Sequence, residues 1–337
     1  MNKQLEIAIV ILNWNGRSLL EQFIPNVLKY SENATVYVAD NASDDDSVEY
    51  LRQNYPEVGI VMNKENGGFA KGYNDALKHI NADVYCLLNS DVEVTKNWLT
   101  PIRSFFENDK KIAIAQPKIL DFKNKSMLEY AGAAGGFLDM FGYPFCRGRV
   151  FQTLEMDQGQ YNDIKDIFWA TGACMFIRKH VFDSLKGFDE DYFAHQEEID
   201  LCWRANNLGY KTIYIGTSSV YHVGGATLNN MNPKKTFLNF RNSLYSLTKN
   251  LPLKKVIPLV LIRLVLDGVA AMRFLFQFKF QHLFAIFKAH LSYYWNLRKM
   301  SKKRQQLDEY KKYYVCTSIV WSYFVRKRKH YSSLVKD

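Results

Sequence analysis

Short apolar runs alternate with amphipathic stretches along the first two thirds of the chain. Residues 7–12, 35–39, 59–62 and 84–88 are rich in β-forming side chains and end in polar turns, a pattern typical of strands buried on both faces. Helical spacing fills the segments between them, as in residues 18–30. This alternation predicts an α/β fold with a mostly parallel, mixed sheet that is flanked by helices.

The pattern is less regular farther along the chain. Residues 126–165 are rich in glycine, and we expect them to form an irregular loop that is either functional or mobile. Residues 171–177 and 211–215 have the composition of strands, and a strand end at 220–227 closes the unit. A helix is predicted to begin near Glu197.

Polar residues follow three strands of the predicted sheet at the points where the strands end. Asp40 ends the second strand, Asn66-Gly67-Gly68 follows the third, and Asp91 follows the central apolar run. Ligands bind beyond the carboxyl ends of strands in an open α/β sheet, so three such ends predict a nucleotide crevice. The glycines form neither a GxGxxG fingerprint nor a phosphate loop ending in Gly-Lys-Ser/Thr, which disfavours NAD enzymes and P-loop ATPases.

Asp91 and His222 are candidate metal ligands. A carboxylate at a strand end suits a hard divalent cation that bridges phosphate oxygens, because such ions prefer oxygen ligands and few protein carboxylates. The alternative is that Asp91 caps the next turn. A histidine followed by glycines at the same sheet is a candidate ligand, whereas a lone histidine is more often structural. Both alternatives stay open on these residues alone.

The helix near Glu197 carries acidic residues in its first turn. Glu197 and Glu198 stand where the helix dipole favours negative charge, so dipole complementarity competes with a chemical role. Helical spacing also puts Glu197 and Asp200 on one face with Arg204. These carboxylates are therefore candidates for acid–base chemistry, and the structural explanation stays open.

Charge is divided unevenly along the 337 residues. Residues 251–337 hold 18 Lys and Arg against 4 Asp and Glu, a net charge of +14, whereas residues 1–250 hold 26 against 30, a net charge of −4. A basic tail on a mildly acidic body indicates an anionic partner for the tail. The five cysteines form no CxxC pair, and no signal-peptide pattern precedes the first strand, so we expect a protein of the reducing cytoplasm.

We divide the chain into a domain of residues 1–250 and a basic, helical region of residues 251–337. Residues 274–295 are dense in aromatic side chains with basic residues between them, and no uncharged apolar stretch approaches the ~20 residues of a membrane span. This pattern predicts helices that lie in an anionic membrane interface. A helical cap on the first domain is the alternative, and nucleic acid is disfavoured because no RNA-binding motif is present.

An ordered set of motifs over residues 7 to roughly 245 resembles the family 2 glycosyltransferases. These are inverting enzymes of the GT-A fold, and the likeness is greatest to rhamnosyltransferase-like members of bacterial polysaccharide pathways. The matching motifs are Val10-Ile11-Leu12-Asn13-Trp14-Asn15, Asp40-Asn41-Ala42-Ser43-Asp44, Asn66-Gly67-Gly68-Phe69-Ala70, Leu88-Asn89-Ser90-Asp91, Glu197-Glu198-Ile199-Asp200-Leu201 with Arg204, and His222.

The resemblance implies a role for each motif. Asp40 would accept a hydrogen bond from the base of a uridine- or thymidine-type nucleotide, and Asp91 and His222 would hold Mg²⁺ or Mn²⁺. Glu198 would be the catalytic base, with Glu197 beside it. The other nucleotide-binding residues would be Asn13, Asn41, Ser43, Asn66, Gly67, Gly68, Asn89 and Ser90. Contacts to the donor sugar or to the acceptor would come from Asp200, Trp203 and Arg204.

Two positions depart from the family's pattern. Asn89 stands at the first position of the metal-binding Asp-x-Asp, which leaves one carboxylate fewer for the metal. Glu197-Glu198 replaces the usual Glu-Asp pair, so the base carboxylate would stand on a longer side chain. The choice between the two glutamates as the base stays open.

We therefore expect an inverting glycosyltransferase that moves a sugar from a UDP- or dTDP-type nucleotide-diphospho-sugar to a hydroxyl of a lipid-linked or surface glycan. One carboxylate base and one divalent metal suffice for such a displacement. The expected location is the inner face of the cell membrane, and a homo-oligomer is left open. The alternatives are a non-catalytic nucleotide-sugar-binding protein and a sugar nucleotidyltransferase, although residues 13–16 lack the latter's triphosphate-binding loop.

Overall fold

The computed structural model describes residues 4–224, 232–304 and 311–335. Within them the strands are β1 (Ile7–Asn13), β2 (Thr35–Asp40), β3 (Gly59–Met62), β4 (Val84–Asn89), β5 (Val92–Val94), β6 (Ile112–Asp121), β7 (Gly136–Leu138), β8 (Pro144–Cys146), β9 (Arg149–Val150), β10 (Thr153–Leu154), β11 (Ile164–Ile167), β12 (Cys174–Arg178) and β13 (Lys211–His222). The α-helices of the same residues are α1 (Arg17–Tyr30), α2 (Ser47–Asn54), α3 (Gly68–Leu77), α4 (Leu99–Asn108), α5 (Lys179–Ser184), α6 (Glu197–Asn207), α7 (Pro233–Asn250), α8 (Leu253–Phe276) and α9 (Phe280–Lys302).

Nine of the thirteen described strands form one large mixed sheet, in the order β11-β13-β6-β12-β4-β1-β2-β3, with β5 paired to β13. β4, β1, β2 and β3 are mutually parallel, as the alternation of strand and helix predicts. β12 lies antiparallel between β4 and β6, and β11 and β5 lie antiparallel to β13. The predicted α/β fold with a mixed sheet is confirmed, and its parallel part is confined to β4-β1-β2-β3 and the β6–β13 pair.

Alternate residues of the central strands pack into different buried layers. On β1, Ala8 and Val10 join the layer that includes α3, whereas Ile9 and Ile11 join the layer that includes α1 and α4. Because both faces of the sheet are covered, the apolar runs of these strands do not alternate apolar with polar residues. Burial of each such aliphatic side chain stabilises the fold by ~1.5–3 kcal/mol.

The sequence pattern does not predict β6. Gln116, Pro117 and Lys118 interrupt its apolar run, yet nine of its ten residues are buried. Distant residues satisfy the buried polar groups: Gln116 accepts a hydrogen bond from the Thr171 backbone N–H at 2.9 Å, and Lys118 pairs with Asp157 at 2.8 Å. Polar residues with such partners can lie inside a sheet.

The expectation of an irregular loop over residues 126–165 is wrong. This segment contains a small antiparallel sheet in the order β10-β9-β8-β7, together with the start of β11. Its residues Phe137, Leu138, Phe145 and Val150 are buried in the main apolar layer. The strands are only two or three residues long, so they lack a periodicity that a sequence pattern can reveal.

The strand predicted at 211–215 and the strand end predicted at 220–227 meet in one strand, β13, which ends at His222; residues 225–227 lie outside the described part of the chain. The pairing of β13 with β6 is interrupted by a register shift between Ile215 and Ser219, after which pairing resumes as far as His222. Such an irregularity bends a strand without ending it. β13 thereby carries His222 to the edge where β4 ends.

The C-terminal helices pack on the body of the molecule. The apolar layer beside α3 continues through Leu251, Val256, Tyr293 and Met300. The boundary at residue 250 stays a prediction. Beyond it α8 and α9 are helical, whereas residues 311–335 contain only short helical turns at Trp321–Val325 and Tyr331–Ser333. Among the described residues, no helix is both long enough and apolar enough to cross a membrane.

Candidate active site

The carboxyl ends of β1, β2 and β4 meet at one edge of the sheet. Strand register sets Asn13 beside Asp40 and Leu12 beside Asn89. β3 continues the edge next to β2, and α3 begins soon after it at Gly68. The structure therefore brings together the polar strand ends that the sequence singled out.

Asp40 is fully buried at this edge and organises a polar network. Its Oδ1 accepts hydrogen bonds from Asn13 Nδ2 at 3.0 Å and from Ser43 Oγ at 2.6 Å, and its Oδ2 accepts one from the Ser43 backbone N–H at 2.9 Å. A carboxylate has about four acceptor sites, so Oδ2 keeps capacity for a ligand. Asn13 Oδ1 is also buried and has no hydrogen-bond partner among the described residues.

The Asn-Gly-Gly turn closes the other side of this network. Asn66 Oδ1 accepts hydrogen bonds from Asn41 Nδ2 at 2.9 Å and from the Gly68 backbone N–H at 3.0 Å. Gly68 has φ of +78°, and a Cβ there would lie 2.7 Å from the carbonyl oxygen of Phe193. That carbonyl accepts a hydrogen bond from the backbone N–H of Phe69 at 3.2 Å. Only glycine fits this position, because both the backbone angle and the space require it.

Two further predicted nucleotide residues, Gly67 and Ser90, are half-buried near the same edge. A Cβ on Gly16 would come within 3.9 Å of Ser90 Oγ, which places the hydroxyl beside the start of α1. Gly67 precedes α3 and continues the turn. Both residues thus lie at the edge where the nucleotide crevice is predicted.

Asp91 and His222 lie side by side beyond β4 and β13. Asp91 Oδ1 is 3.1 Å from His222 Nε2, Asn89 Nδ2 is 3.3 Å from the same ring nitrogen, and the Asp91 and His222 side chains are buried. Burial favours the neutral acid, but contact with His222 outweighs it and lowers the pKa of Asp91 below its usual value. Beyond Gly224, the glycine-containing segment that follows His222 lies outside the described residues.

Glu129 is a site residue that the sequence analysis did not single out. It is buried, and its Oε1 lies 3.4 Å from His222 Nδ1, on the ring side opposite Asp91. Burial disfavours the charged imidazole, but the Asp91 and Glu129 carboxylates outweigh it and raise the pKa of His222 to about 10. The one local signal is Gly224, where a Cβ would lie 2.8 Å from Glu129 Oε1. The contact between Gly224 and Glu129 can be recognised only once the fold is known.

The residues before α6 have an unusual backbone. Phe193, His195 and Gln196 have φ of +64°, +68° and +73°. Such left-handed conformations are uncommon for residues other than glycine and cost ~1–3 kcal/mol each. Strain of this kind concentrates at functional sites, and here it directly precedes Glu197.

Asn242 of α7 holds this strained turn from behind. The fully buried Asn242 places its Nδ2 3.1, 3.0 and 2.7 Å from the carbonyl oxygens of Tyr192, Ala194 and His195. Buried backbone carbonyls need hydrogen-bond donors, and in this irregular turn the Asn242 amide takes the place of the backbone donors that a helix or strand would provide. Asn242 was not predicted as a site residue, because its role depends on a contact between distant parts of the chain.

Glu197 and Glu198 occupy different environments at the start of α6. Glu197 is buried and Glu198 is half-buried, and the Oε2 atom of each has no hydrogen-bond partner among the described residues. Burial raises the pKa of Glu198 to about 7. Burial and the nearby charge of Glu198 raise the pKa of Glu197 well above its usual value. A carboxyl with a pKa near 7 suits proton transfer at neutral pH.

The buried thiol of Cys146 links the two acidic groups of the site. Burial raises the pKa of Cys146, Arg149 opposes this, and the charges of Glu129 and Glu198 add to it. Both carboxylates are therefore within electrostatic range of one side chain. The base candidate and the carboxylate beside His222 thus belong to the same region of the molecule.

Asp200 and Arg204 form a buried ion pair on α6, in which Arg204 Nε lies 2.8 Å from Asp200 Oδ2. Lys249 and Asn250 also donate to Asp200, at 2.8 and 2.9 Å. Burial would raise the pKa of Asp200, but Lys249 and Arg204 outweigh it and hold it well below its usual value. Trp203 packs on aromatic neighbours. These contacts favour a role in positioning α6, and contact with a sugar stays a prediction for all three predicted residues.

The sequence of the chain is similar to those of known proteins. The model of the family described as Glycosyl transferase family 2 matches residues 8–185, more than half of the chain. The N-acetylglucosaminyl-diphospho-decaprenol L-rhamnosyltransferase of Mycobacterium tuberculosis is 22% identical over 233 residues, which cover 64% of this chain and 75% of that relative.

Solved structures share the fold at low sequence identity. The structure of GalNAc-T7 with UDP, GalNAc and Mn²⁺ aligns with a TM-score of 0.58 at 17% identity, covering 73% of this chain and 48% of that one. The mannosyltransferase PcManGT from Pyrobaculum calidifontis, in complex with GDP-Man and Mn²⁺, aligns with a TM-score of 0.53 at 12% identity and 88% coverage of both chains. This chain thus spans about half the length of the GalNAc-T7 chain, and the likeness concerns the fold.

Proposed function

The chain belongs to glycosyl transferase family 2 and is a glycosyltransferase, and we propose that it transfers a sugar, with inversion, from a UDP- or dTDP-type donor to a hydroxyl of a lipid-linked or surface glycan. The observation that carries this proposal is the position of Glu198. Glu198 is a half-buried residue whose carboxyl Oε2 is buried without a hydrogen-bond partner among the described residues. Burial raises its pKa to about 7, and it stands at the end of a turn that touches the Asn-Gly-Gly segment. The hydrogen bond from the Phe69 backbone N–H to the Phe193 carbonyl thereby connects the proposed donor site with the turn that carries the base.

The Asp40 network supports recognition of a pyrimidine base. Asp40 Oδ2 retains acceptor capacity, and Asn13 Oδ1 is a buried acceptor without a partner among the described residues. Two acceptors at one edge suit the imide N–H that uracil and thymine share. The Gly67-Gly68 turn lets the backbone approach the ligand beside them.

The Asp91–His222 pair suits a divalent cation. Oδ1 and Nε2 face each other across 3.1 Å, and the second ring nitrogen faces Glu129, which is the arrangement of a metal-binding histidine oriented by an outer carboxylate. Within the described residues no group of three or more His, Cys, Asp or Glu converges on one metal position, so the donor's phosphates would supply further oxygens. A bound Mg²⁺ or Mn²⁺ would stabilise the charge that develops on the departing diphosphate.

The Mn²⁺ named in the GalNAc-T7 and PcManGT structures supports a divalent metal. Asn89, at the first position of the family's Asp-x-Asp, carries no charge and lies beside the same imidazole. A single carboxylate ligand is compatible with a cation whose other ligands are phosphate and water. We therefore assign Asp91 and His222 as its protein ligands, and binding of the cation would displace the proton that the raised pKa of His222 otherwise favours.

Glu198 acts as the base in the proposed reaction. The acceptor oxygen forms a bond to the anomeric carbon, the bond from that carbon to the diphosphate oxygen breaks, and the acceptor's proton passes to the Glu198 carboxylate. Glu197 is more deeply buried, and its raised pKa favours the neutral acid, so we assign it to the positioning of the turn. A positioned base contributes ~10²–10⁴-fold to such a transfer.

The acceptor class rests on the relative's name and on the C-terminal region. The M. tuberculosis relative is named for a diphospho-decaprenol acceptor, a lipid-linked sugar. Such an acceptor is reached at a membrane surface, which agrees with the basic helical region and with a location on the inner face of the cell membrane. A non-catalytic nucleotide-sugar-binding protein is the alternative, and a turnover assay separates the two.

A thermal-shift panel tests the donor class. The full chain is heated with UDP-, dTDP- and GDP-sugars, each with Mn²⁺, Mg²⁺ or EDTA. A ligand at 100 times its Kd stabilises the folded state by about 2.7 kcal/mol. We expect the largest shift for a UDP- or dTDP-sugar with metal, and its loss with EDTA. Equal shifts with and without metal would contradict the proposed metal site, and the absence of any shift would contradict the donor class.

A further inference from the structure

Helix α8 has the reverse of the usual surface-helix pattern. Its buried face consists of Val256, Val260, Arg263 and Asp267, which includes its one acidic residue and a basic partner. A surface helix normally turns its apolar stripe inward and its charges outward. The large apolar residues that α8 exposes are Leu253, Ile257, Leu261, Ile262, Leu264, Val265, Val269, Met272 and Phe276.

Inward contacts fix the rotation of α8 about its axis. Asp267 accepts a hydrogen bond from Tyr143 OH at 2.6 Å and lies 3.0 Å from His290 Nε2. Arg263 pairs with Asp267 at 3.2 Å and donates to Ser243 Oγ at 2.8 Å. Turning the helix to bury its apolar residues would leave these buried charges without partners, at high cost. The apolar face of α8 is therefore built to point outward.

The exposed apolar surface continues through the turn into α9. Phe278 in the turn is 81% exposed, and Trp295 near the end of α9 is 90% exposed. Between them α9 exposes Phe280, Phe284, Phe287 and Leu291 at helical spacing. We call the exposed apolar residues of α8, the turn 277–279 and α9 the hairpin face. So large a run of exposed apolar side chains marks an interaction surface.

Within residues 251–304, the exposed charges are all positive. Asp267 is the only acidic residue in 251–304, and it is buried. Exposed basic residues of α8 and α9 include Lys254, Lys255, Arg273, Lys288, Arg298 and Lys302. Arg273 also stacks over the Phe324 ring at 4.7 Å, which brings the exposed basic run 326–329 close to the end of α8. The partner of this face must therefore accept apolar side chains and carry negative charge.

We propose that the hairpin face docks in the plane of a bilayer that contains anionic phospholipids. Apolar and aromatic side chains would enter the acyl boundary while the surrounding lysines and arginines meet the headgroups. A second copy of the chain fits less well, because two hairpin faces would bring the same positive charges together. The observations that carry this inference do not depend on the donor or the reaction.

The docked hairpin would stand close to the base, a consequence that rests on the proposed function. Lys299 and Lys303 at the end of α9 pair with Asp191 at 2.6 and 2.7 Å, in the turn that leads to the strained backbone before Glu198. A lipid-linked acceptor held in the same bilayer would then reach the base without leaving the membrane surface.

Vesicle co-sedimentation of the full chain tests the proposal. The parent protein is mixed with vesicles of phosphatidylcholine alone or with phosphatidylglycerol added, at low and high salt. The variants are Ile257→Ser/Leu261→Ser, Trp295→Ser and Lys288→Gln/Arg298→Gln. The control is Leu208→Ser at the end of α6, because Leu208 and Ile257 are both 56% exposed. Melting temperatures check that every variant folds.

We expect the parent to pellet with anionic vesicles and to lose binding as salt rises. Each apolar variant should lower the partition coefficient about tenfold or more. The charge variant should lose binding chiefly on anionic vesicles, and Leu208→Ser should match the parent. A partition coefficient that is the same for the hairpin variants and the parent would overturn the proposal. So would a lack of pelleting combined with a dimer, seen by light scattering, that the same variants dissociate. The donor-induced thermal shift is measured on the same variants. If it persists, failure of the membrane proposal leaves the proposed function intact.

Discussion

Asn242 donates its side-chain amide to the carbonyl of His195 at 2.7 Å, so helix α7 holds the turn that presents Glu198. His195 has φ of +68°, and the neighbouring Gln196 has φ of +73°. Each conformation costs ~1–3 kcal/mol unless surrounding contacts compensate. The amide therefore keeps the base in place although it contacts neither substrate nor metal in the proposed reaction.

Asn242→Ala should lower kcat by ~10²-fold, because a displacement of about 1 Å at a catalytic group has this cost. Donor affinity, measured by calorimetry, should fall less than kcat, because Asn242 contacts neither Asp40 nor the glycine turn directly and reaches that turn only through the residues around Phe193. The matched control is Asn239→Ala on the same helix, which should behave like the parent. An unchanged kcat in a folded Asn242→Ala protein would show that the turn holds its shape without the amide.

Gly68→Ala tests the contact between the donor turn and the base turn. A methyl group would meet the Phe193 carbonyl at 2.7 Å, at a backbone φ of +78° that alanine adopts poorly. We expect both donor affinity and transfer to fall at least tenfold, measured by calorimetry and by release of the nucleoside diphosphate. Gly268→Ala is the control, because nothing lies within 4 Å of its added Cβ. Parental donor affinity in Gly68→Ala would contradict the predicted position of the nucleotide.

Glu129→Gln tests the orientation of the metal-binding histidine. The amide keeps the size of the side chain but removes the carboxylate charge that lies 3.4 Å from His222 Nδ1, so Mn²⁺ affinity should fall roughly tenfold. Electron paramagnetic resonance of free Mn²⁺ in the presence of the nucleotide measures this without turnover. Glu93→Gln on neighbouring β5 is the control and should leave the affinity unchanged. An unaltered Mn²⁺ affinity in Glu129→Gln would make Glu129 a packing residue.

The pKa of about 7 at Glu198 predicts two pH dependences. Transfer should fall as pH drops below 7, because the base must be deprotonated. Folding stability shows the opposite trend: a carboxyl whose folded pKa lies above its unfolded value loses stability as pH rises from the unfolded pKa through the folded one. The melting temperature of Glu198→Gln should therefore rise relative to that of the parent as pH increases from about 4.5 to about 7, and the difference should persist at higher pH. Parallel melting curves at all pH values would contradict the raised pKa.

The parallel half of the fold could be predicted because its signals are local. β1, β2 and β4 are uninterrupted apolar runs, and Asn13, Asp40 and Asp91 stand where those runs end, so the pattern places them at one edge. β6 could not be predicted, since Gln116 and Lys118 are buried only because distant residues bind them.

The missed site residues share one cause. Glu129 and Asn242 act through contacts with His222 and His195 that lie 93 and 47 residues away in the chain. Neither has a periodic or spaced pattern around it, and the strained turn contains no glycine that would signal positive φ. The sequence also predicts a basic, aromatic region after residue 250. Which side of α8 points outward depends on the pairing of Asp267 with Tyr143 and His290.

Single-turnover transfer, with the donor that the thermal-shift panel identifies, tests whether Glu198 is the base of a metal-assisted sugar transfer. Parent, Glu198→Gln and Glu197→Gln are compared at saturating donor and Mn²⁺, with donor Kd measured in parallel. We expect Glu198→Gln to lose ~10²–10⁴-fold in transfer while its donor Kd stays within about twofold, and Glu197→Gln to lose less. Near-parental transfer in Glu198→Gln, together with loss of transfer in Glu197→Gln, would contradict this role of Glu198.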